Sequence, residues 1–274
     1  PGFLRFAIPM FPSAAGYFSF PMMILAVVGI VYGALMAYAQ TDVKRLVAYS
    51  SVSHLGFVML GMFAFNEDGI SGSILQMINH GISTGALFLI VGMIYERRHT
   101  RLIGEFGGLA NNMKVFAAIF VIITLSSIGL PGTNGFVGEF LILAGAFREA
   151  LSSAGADRIY LIALGVFAAS GIILGAVYML TMLRRVIFGK ISNPKNEGLK
   201  DLNTREFFVL IPLVVLVFLI GILPNIFLKK MEGSVKHTIS LYKETVSRAR
   251  TQRTGAGISD LLKASGEKTS EVNE

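Results

Sequence analysis

Apolar residues fall in six long, nearly uncharged stretches, at about 19 to 40, 46 to 65, 70 to 94, 115 to 147, 159 to 183 and 207 to 228. Each can cross a hydrocarbon core ~30 Å thick, which takes about 20 helical residues. Within lipid every backbone polar group must be paired inside its own segment. Continuous runs therefore predict helices, not the short alternating strands of a barrel. The pattern predicts an all-α, polytopic transmembrane helical bundle. No run opens on a basic segment and closes on a small-residue cleavage site, and residue 1 is Pro. Residues 1 to 12, PGFLRFAIPMFP, read as the last turns of a further helix, the start being a cut inside a longer chain. The expectation is six whole helices plus an N-terminal remnant, with one helix broken.

Composition agrees. The chain is 53% hydrophobic and 15% charged, against roughly 25% charged in a soluble domain. Cysteine is absent, which excludes disulfides, thiolate metal sites and iron-sulfur ligation within this chain. Any redox centre must sit elsewhere. The net charge of +7 points to membrane topology before nucleic acid, because basic residues alternate from one connection to the next. Lys44 and Arg45, then Arg97, Arg98, Arg101 and Lys114, then Arg184, Arg185, Lys190, Lys195, Lys200 and Arg205 fill one set of connections. The other set holds only Arg148 and Arg158. The positive-inside rule puts the rich set in the cytoplasm and the C-terminus outside. On that basis Lys44 and Arg45 are interfacial anchors, not carriers.

Residues 1–228 thus form the membrane domain and 229–274 a polar tail. The last stretch, TQRTGAGISDLLKASGEKTSEVNE, is too poor in apolar side chains to fold alone, and the tail is expected to be largely disordered. Met231 to Val246 could form a short amphipathic surface helix or a solvated tether. Gly, Ser and Ala recur inside the spans, as in ASGIILGAVYML, which signals close helix packing. The glycine-rich stretches lack the Lys-Ser/Thr of a P-loop, and GTNGFVG is not a dinucleotide-binding turn.

Only three charged or imidazole side chains lie well inside the six spans: His54, His80 and Glu139. A charge at the bilayer centre costs at least ~2.5 kcal/mol, so such groups usually face the bundle interior and mark ion or proton routes. His54 and His80 sit in consecutive antiparallel spans, each roughly 12 to 15 Å deep at ~1.5 Å per residue. Their imidazoles could face one another and relay protons near neutral pH. The plainer alternative is a neutral core imidazole bonded to a backbone carbonyl or to Ser51, Ser53 or Ser83. Metal binding is disfavoured, because Glu139 is the only third ligand at matching depth.

LPGTNGFVGEF, Leu130 to Phe140, interrupts an apolar run of 33 residues that is too long for one straight crossing. Pro131, three glycines and Asn134 predict a broken helix, tolerated at mid-depth where it lines a wet cavity. Glu139 follows directly. A carboxyl there can be loaded and unloaded by changes in neighbouring charge, or it can simply be satisfied by the broken helix.

At these residues a resemblance becomes specific. QTDVKRLVAYSSVSHLGFVMLG, then QMINHGISTGALFLIVGMIYERRHTR with FGGLA, then LPGTNGFVGEFLIL resemble, in this order, the antiporter-like membrane subunits of respiratory complex I, the NADH-quinone oxidoreductase. The resemblance spans about residues 1 to 228. Glu139 and Thr84 stand where other branches typically carry lysine, which places the similarity nearest the chain M branch. It implies a proton-translocating subunit of fourteen helices in two inverted five-helix repeats, this chain holding the end of helix 8 and helices 9 to 14. It further implies that Glu139 is the acid of broken helix 12, with His54 and His80 the histidines of a central relay. The family's glutamate of helix 5 and lysines of helices 7 and 8 are not in this chain, which alone should not pump. NAD, FMN, iron-sulfur clusters and quinone would belong to partner subunits, and the setting would be the bacterial inner membrane among other membrane-arm subunits. Rival expectations are the membrane subunit of a related hydrogenase, a sodium/proton antiporter subunit, which Glu139 and Thr84 argue against, and a scaffold without proton chemistry.

Overall fold

The computed structural model describes residues 2–270, with side chains as far as Arg248. Each predicted run is helical: α1 Ser19–Tyr38, α2 Val43–Phe63, α3 Glu67–Arg98, α4 Lys114–Ile128, α5 Asn134–Ser152, α6 Gly155–Ile187 and α7 Thr204–Ile222. Of these, α1, α2, α3, α6 and α7 are long and apolar enough to cross a membrane individually. The sixth crossing is made in two pieces by α4 and α5, which flank the expected break. The chain is a multi-pass membrane protein.

Local chemistry sets the boundaries. Asp42 caps α2 by accepting from the Arg45 N–H at 3.1 Å, and Asn66 caps α3 by accepting from the Gly69 N–H at 2.9 Å. A capping box of Asn203 and Glu206 opens α7. α4 closes on Gly129 at φ 81°, where the Leu130 N–H reaches the Leu125 carbonyl and the Gly129 N–H reaches that of Ser126. This left-handed cap satisfies carbonyls that would otherwise be orphaned.

The connections gather at two ends. At one, Val43 N–H donates to the Arg101 carbonyl, Asn112 to the Asn196 carbonyl, and the Asp201 carboxylate accepts from the Val115 and Phe116 N–H groups at the start of α4. These joined loops are the basic set. Arg97 adds a two-pronged pair to Glu206, at 2.7 and 2.6 Å, that ties the end of α3 to the start of α7. At the opposite end Arg148 pairs with Asp68 at 2.8 Å, and the Asn66 amide donates to the Gly145 carbonyl.

Glycine lets the backbones meet. A Cβ on Gly33 of α1 would stand 2.7 Å from the Ser53 nitrogen of α2, and one on Gly145 of α5 would stand 2.5 Å from the Gly69 nitrogen of α3. Gly33 and Gly145 are therefore helix contacts, as expected of small residues in the spans, whereas Gly29, Gly81 and Gly85 have open space at the Cβ position.

The N-terminal remnant is helical, as read from the sequence, and the C-terminal tail departs from that reading. Residues 3–17 form short helical turns, Phe3–Ala7, Ile8–Met10 and Pro12–Tyr17, bent at Phe11. Where a largely unfolded tail was expected from 229, the chain continues as one helix, α8 Asn225–Ser270. Its first half lies along the non-basic end: Val235 and Ile239 are buried against Ile70, and Tyr242 stacks on Phe65 at 4.0 Å. The stripe Met231, Val235, Ile239, Tyr242 has helical spacing. This is the amphipathic alternative, longer than expected. The expectations for Pro1 and for residues 271–274 lie outside the described residues.

Candidate functional site: a buried carboxylate beside a helix break

The site is built where α2, α3 and the α4–α5 break meet. Glu139 lies one turn into α5 and is 3% exposed. Its Oε1 is 2.9 Å from His54 Nδ1 on α2. The same oxygen accepts from the Gln76 amide of α3 at 3.1 Å. The His54 and His80 rings stand 6.0 Å apart between centroids, tilted by 52°. All three residues singled out from the sequence thus converge in one cluster. The order along it is Glu139, His54, His80.

The break is stapled to α3. Asn79 donates its side-chain amide to the Asn134 carbonyl at 2.6 Å. Asn134 Oδ1 accepts from Ser126 Oγ at 2.5 Å, and Ser126 and Ser83 share a hydrogen bond of 2.8 Å. Ser126 ends α4, Asn134 starts α5, and Ser83 and Asn79 face them from α3, so one polar network holds both half-helices in register. Unsatisfied, these groups would each cost roughly 1 to 3 kcal/mol. Gly135 makes the fold of the break possible, because a Cβ there would collide with the Ser126 carbonyl oxygen.

A cavity of about 10 Å³ opens among His54, Gln76, Asn79, His80, Ser83 and Ser127, about the room one water needs. His80 Nε2, Asn79 Oδ1 and Ser127 Oγ are buried here without a hydrogen-bond partner. The cavity is therefore polar, and it adjoins the imidazole at the far end of the cluster. Tyr178 of α6 is fully buried. Thr84, one turn after His80, is buried and lines the same cavity.

Gln76, Asn79, Asn134, Ser83 and Ser126 were not singled out as functional from the sequence. Neutral polar residues are ordinary in helices, and only the helical phase of α3 against the break shows that Gln76, Asn79 and Ser83 share one face at i, i+3 and i+7. That phase was legible in QMINHGIS once the break was placed opposite it. Ser51 and Ser53, considered as partners for the histidines, bond elsewhere: Ser51 to the Val47 carbonyl and Ser53 to the Ile30 carbonyl of α1. Among the described residues, no three His, Asp or Glu side chains gather in a way that could hold a metal ion.

Chemically, the arrangement is a carboxylate hydrogen-bonded to one imidazole, with a second imidazole and a water-sized cavity in line. Such a chain can accept, hold and pass protons.

The chain is similar to known proteins in sequence and in fold. The family model for the transmembrane chains of NADH:quinone oxidoreductase and Mrp antiporters matches residues 2–154. Subunit M of the NADH-quinone oxidoreductase of Rhodobacter capsulatus is 45% identical over 241 residues, covering 88% of this chain and 45% of that protein. Chain 4 of the NADH-ubiquinone oxidoreductase of Marchantia polymorpha is 44% identical over 238 residues, covering 87% and 46%. Among solved structures, respiratory complex I from Thermus thermophilus with bound NADH contains a chain that superposes with a TM-score of 0.80 at 32% identity, covering 88% of this chain and 48% of that one. A chain of the Mrp complex from a Dietzia species shares the fold, with a TM-score of 0.71 at 19% identity over 85% of this chain and 49% of that one. The chain spans about half the length of the curated relatives it matches. It belongs to the family of NADH:quinone oxidoreductase and Mrp antiporter transmembrane chains.

Proposed function

We propose that this chain is the C-terminal part of a proton-translocating subunit M of NADH-quinone oxidoreductase, multi-pass in the bacterial inner membrane. In this role it moves protons through Glu139, His54 and His80, while NADH oxidation and quinone reduction take place elsewhere in the complex. The observation that carries the proposal is the 2.9 Å contact between Glu139 and His54 at the break in the α4–α5 crossing. A carboxylate so buried costs stability unless it is used or fully paired. Its position beside a second imidazole and a polar cavity supports use.

By the same proposal NAD, FMN, iron-sulfur clusters and quinone are held by partner subunits. The absence of cysteine from the sequence supports placing the clusters elsewhere. Partners would be the other membrane-arm subunits, against which the apolar outer faces of the helices pack, with lipid covering the rest. A sodium/proton antiporter or hydrogenase-type complex is the second reading, since an Mrp chain shares the fold. The acid at 139 and threonine at 84 argue against the antiporter.

The test is NADH-driven proton pumping in inverted vesicles with Glu139→Gln in the full-length chain within its complex. Pumping and coupled quinone reduction are expected to fall by at least tenfold with assembly intact. Unchanged pumping would sink the relay and favour a scaffold.

A further inference from the structure

Glu139 is held from two sides, and only one holder is an imidazole. Gln76 is 2% exposed and donates to Oε1, the same oxygen that faces His54 Nδ1. Gly138, immediately before Glu139, is shaped around it: a Cβ at 138 would collide with Gln76 Oε1. The amide therefore occupies a recess that α5 leaves for it. Its own oxygen is only loosely engaged, by Asn79 at 3.5 Å, because the Asn79 amide is committed to the Asn134 carbonyl at 2.6 Å.

We propose that Gln76 is a positioning residue for Glu139: its amide holds the Glu139 oxygen against His54 when the carboxyl is ionised, and turns over to accept from it when it is protonated. A primary amide suits this chemistry, because it offers a donor and an acceptor at the same reach without a charge of its own. A carboxyl that takes and gives up a proton alternates between accepting and donating. A fixed donor would serve one state and leave the other buried and unpaired, at a cost that falls on every transfer. With Gln76 in place the carboxyl keeps a partner in both states, and its bearing on His54 stays constant. The weak Asn79 contact leaves the amide free to turn, while the recess at Gly138 keeps it at hydrogen-bond distance.

The proposal rests on Glu139 acting as a proton carrier. It is tested in the full-length chain within its complex by Gln76→Met, which keeps the length of the side chain and removes both hydrogen-bonding groups. NADH-driven pumping in inverted vesicles is measured in H₂O and in D₂O. Pumping is expected to fall about tenfold, the worth of one hydrogen bond to a charged group. The solvent isotope effect is expected to rise, because transfer through Glu139 becomes the slow step. A fall in rate with an unchanged isotope effect would overturn the proposal, since a merely structural residue would slow turnover without exposing proton transfer. An unchanged rate would also overturn it. Should the Met variant fail to assemble, Gln76→Leu, which is smaller and likewise lacks both hydrogen-bonding groups, is read the same way. Glu139→Gln separates the two ideas: if it pumps normally the relay itself is lost, whereas a silent Gln76→Met beside an inactive Glu139→Gln removes only the role of Gln76.

Discussion

A single oxygen of Glu139 meets both His54 and Gln76, so the carboxyl is aimed by two helices. The same economy appears at Asn134, whose Oδ1 accepts from Ser126 while its carbonyl accepts from Asn79. Asn134→Ala would leave the Ser126 hydroxyl and its Ser83 partner short of an acceptor in a region without bulk water. The expected cost is about 1 to 3 kcal/mol, seen as a lower melting temperature of the assembled complex. A melting temperature equal to that of the parent would mean that the network is not holding the break. His54, His80 and Glu139 were legible in the sequence because charged and imidazole groups are scarce in lipid-spanning runs. Gln76 and Asn134 were not, because an amide carries no comparable penalty signal and its value depends on which neighbour it meets.

At the scale of the element, the break between α4 and α5 is fixed at both ends of α4. Gly129 and the Leu130 and Ser126 contacts close its C-terminus, and Asp201 accepts from the Val115 and Phe116 N–H groups at its start. Asp201→Ala is expected to loosen that first turn by about 1 kcal/mol, the usual worth of a cap. Faster amide hydrogen exchange confined to residues 114–118 would report it, and unaltered exchange there would count against the cap. The contact of α1 with α2 is stricter. Gly33→Val would drive a side chain into the backbone of Ser53, which stands 2.7 Å from the Cβ position. Overpacking of this kind costs roughly 1 to 3 kcal/mol, and reduced assembly on native gels is the expected outcome. The break itself was legible from Pro131 and its glycines. The partner of each glycine was not, since a small residue states that something comes close without stating what.

For the whole molecule, the basic connections lie together at one end and α8 at the other, as the alternation of Lys and Arg requires of six crossings. The sequence contains no cysteine, so single cysteines can be introduced without background. Lys195→Cys is expected to react with a membrane-impermeant maleimide only in inverted vesicles, and Glu232→Cys only from the outer face. The opposite pattern would reverse the assigned orientation. α8 is where sequence reading fell short at this scale. Its mean composition is polar, and a polar segment cannot bury enough surface to fold alone. Val235, Ile239 and Tyr242 nevertheless find cover on Ile70 and Phe65, and a helix that borrows its apolar partner from the bundle need not supply a core of its own.

The sequence by itself determined the six crossings, the broken helix and the three mid-membrane residues, because lipid penalises charge and unpaired backbone wherever they fall and so marks them residue by residue. Only the tertiary structure decided that Glu139 meets His54, that Gln76 shares its oxygen, that Asn134 staples the break and that the tail begins as a helix docked on the bundle. Those facts depend on the rotation and depth of one helix against another, which side-chain packing sets across the bundle and no single segment encodes.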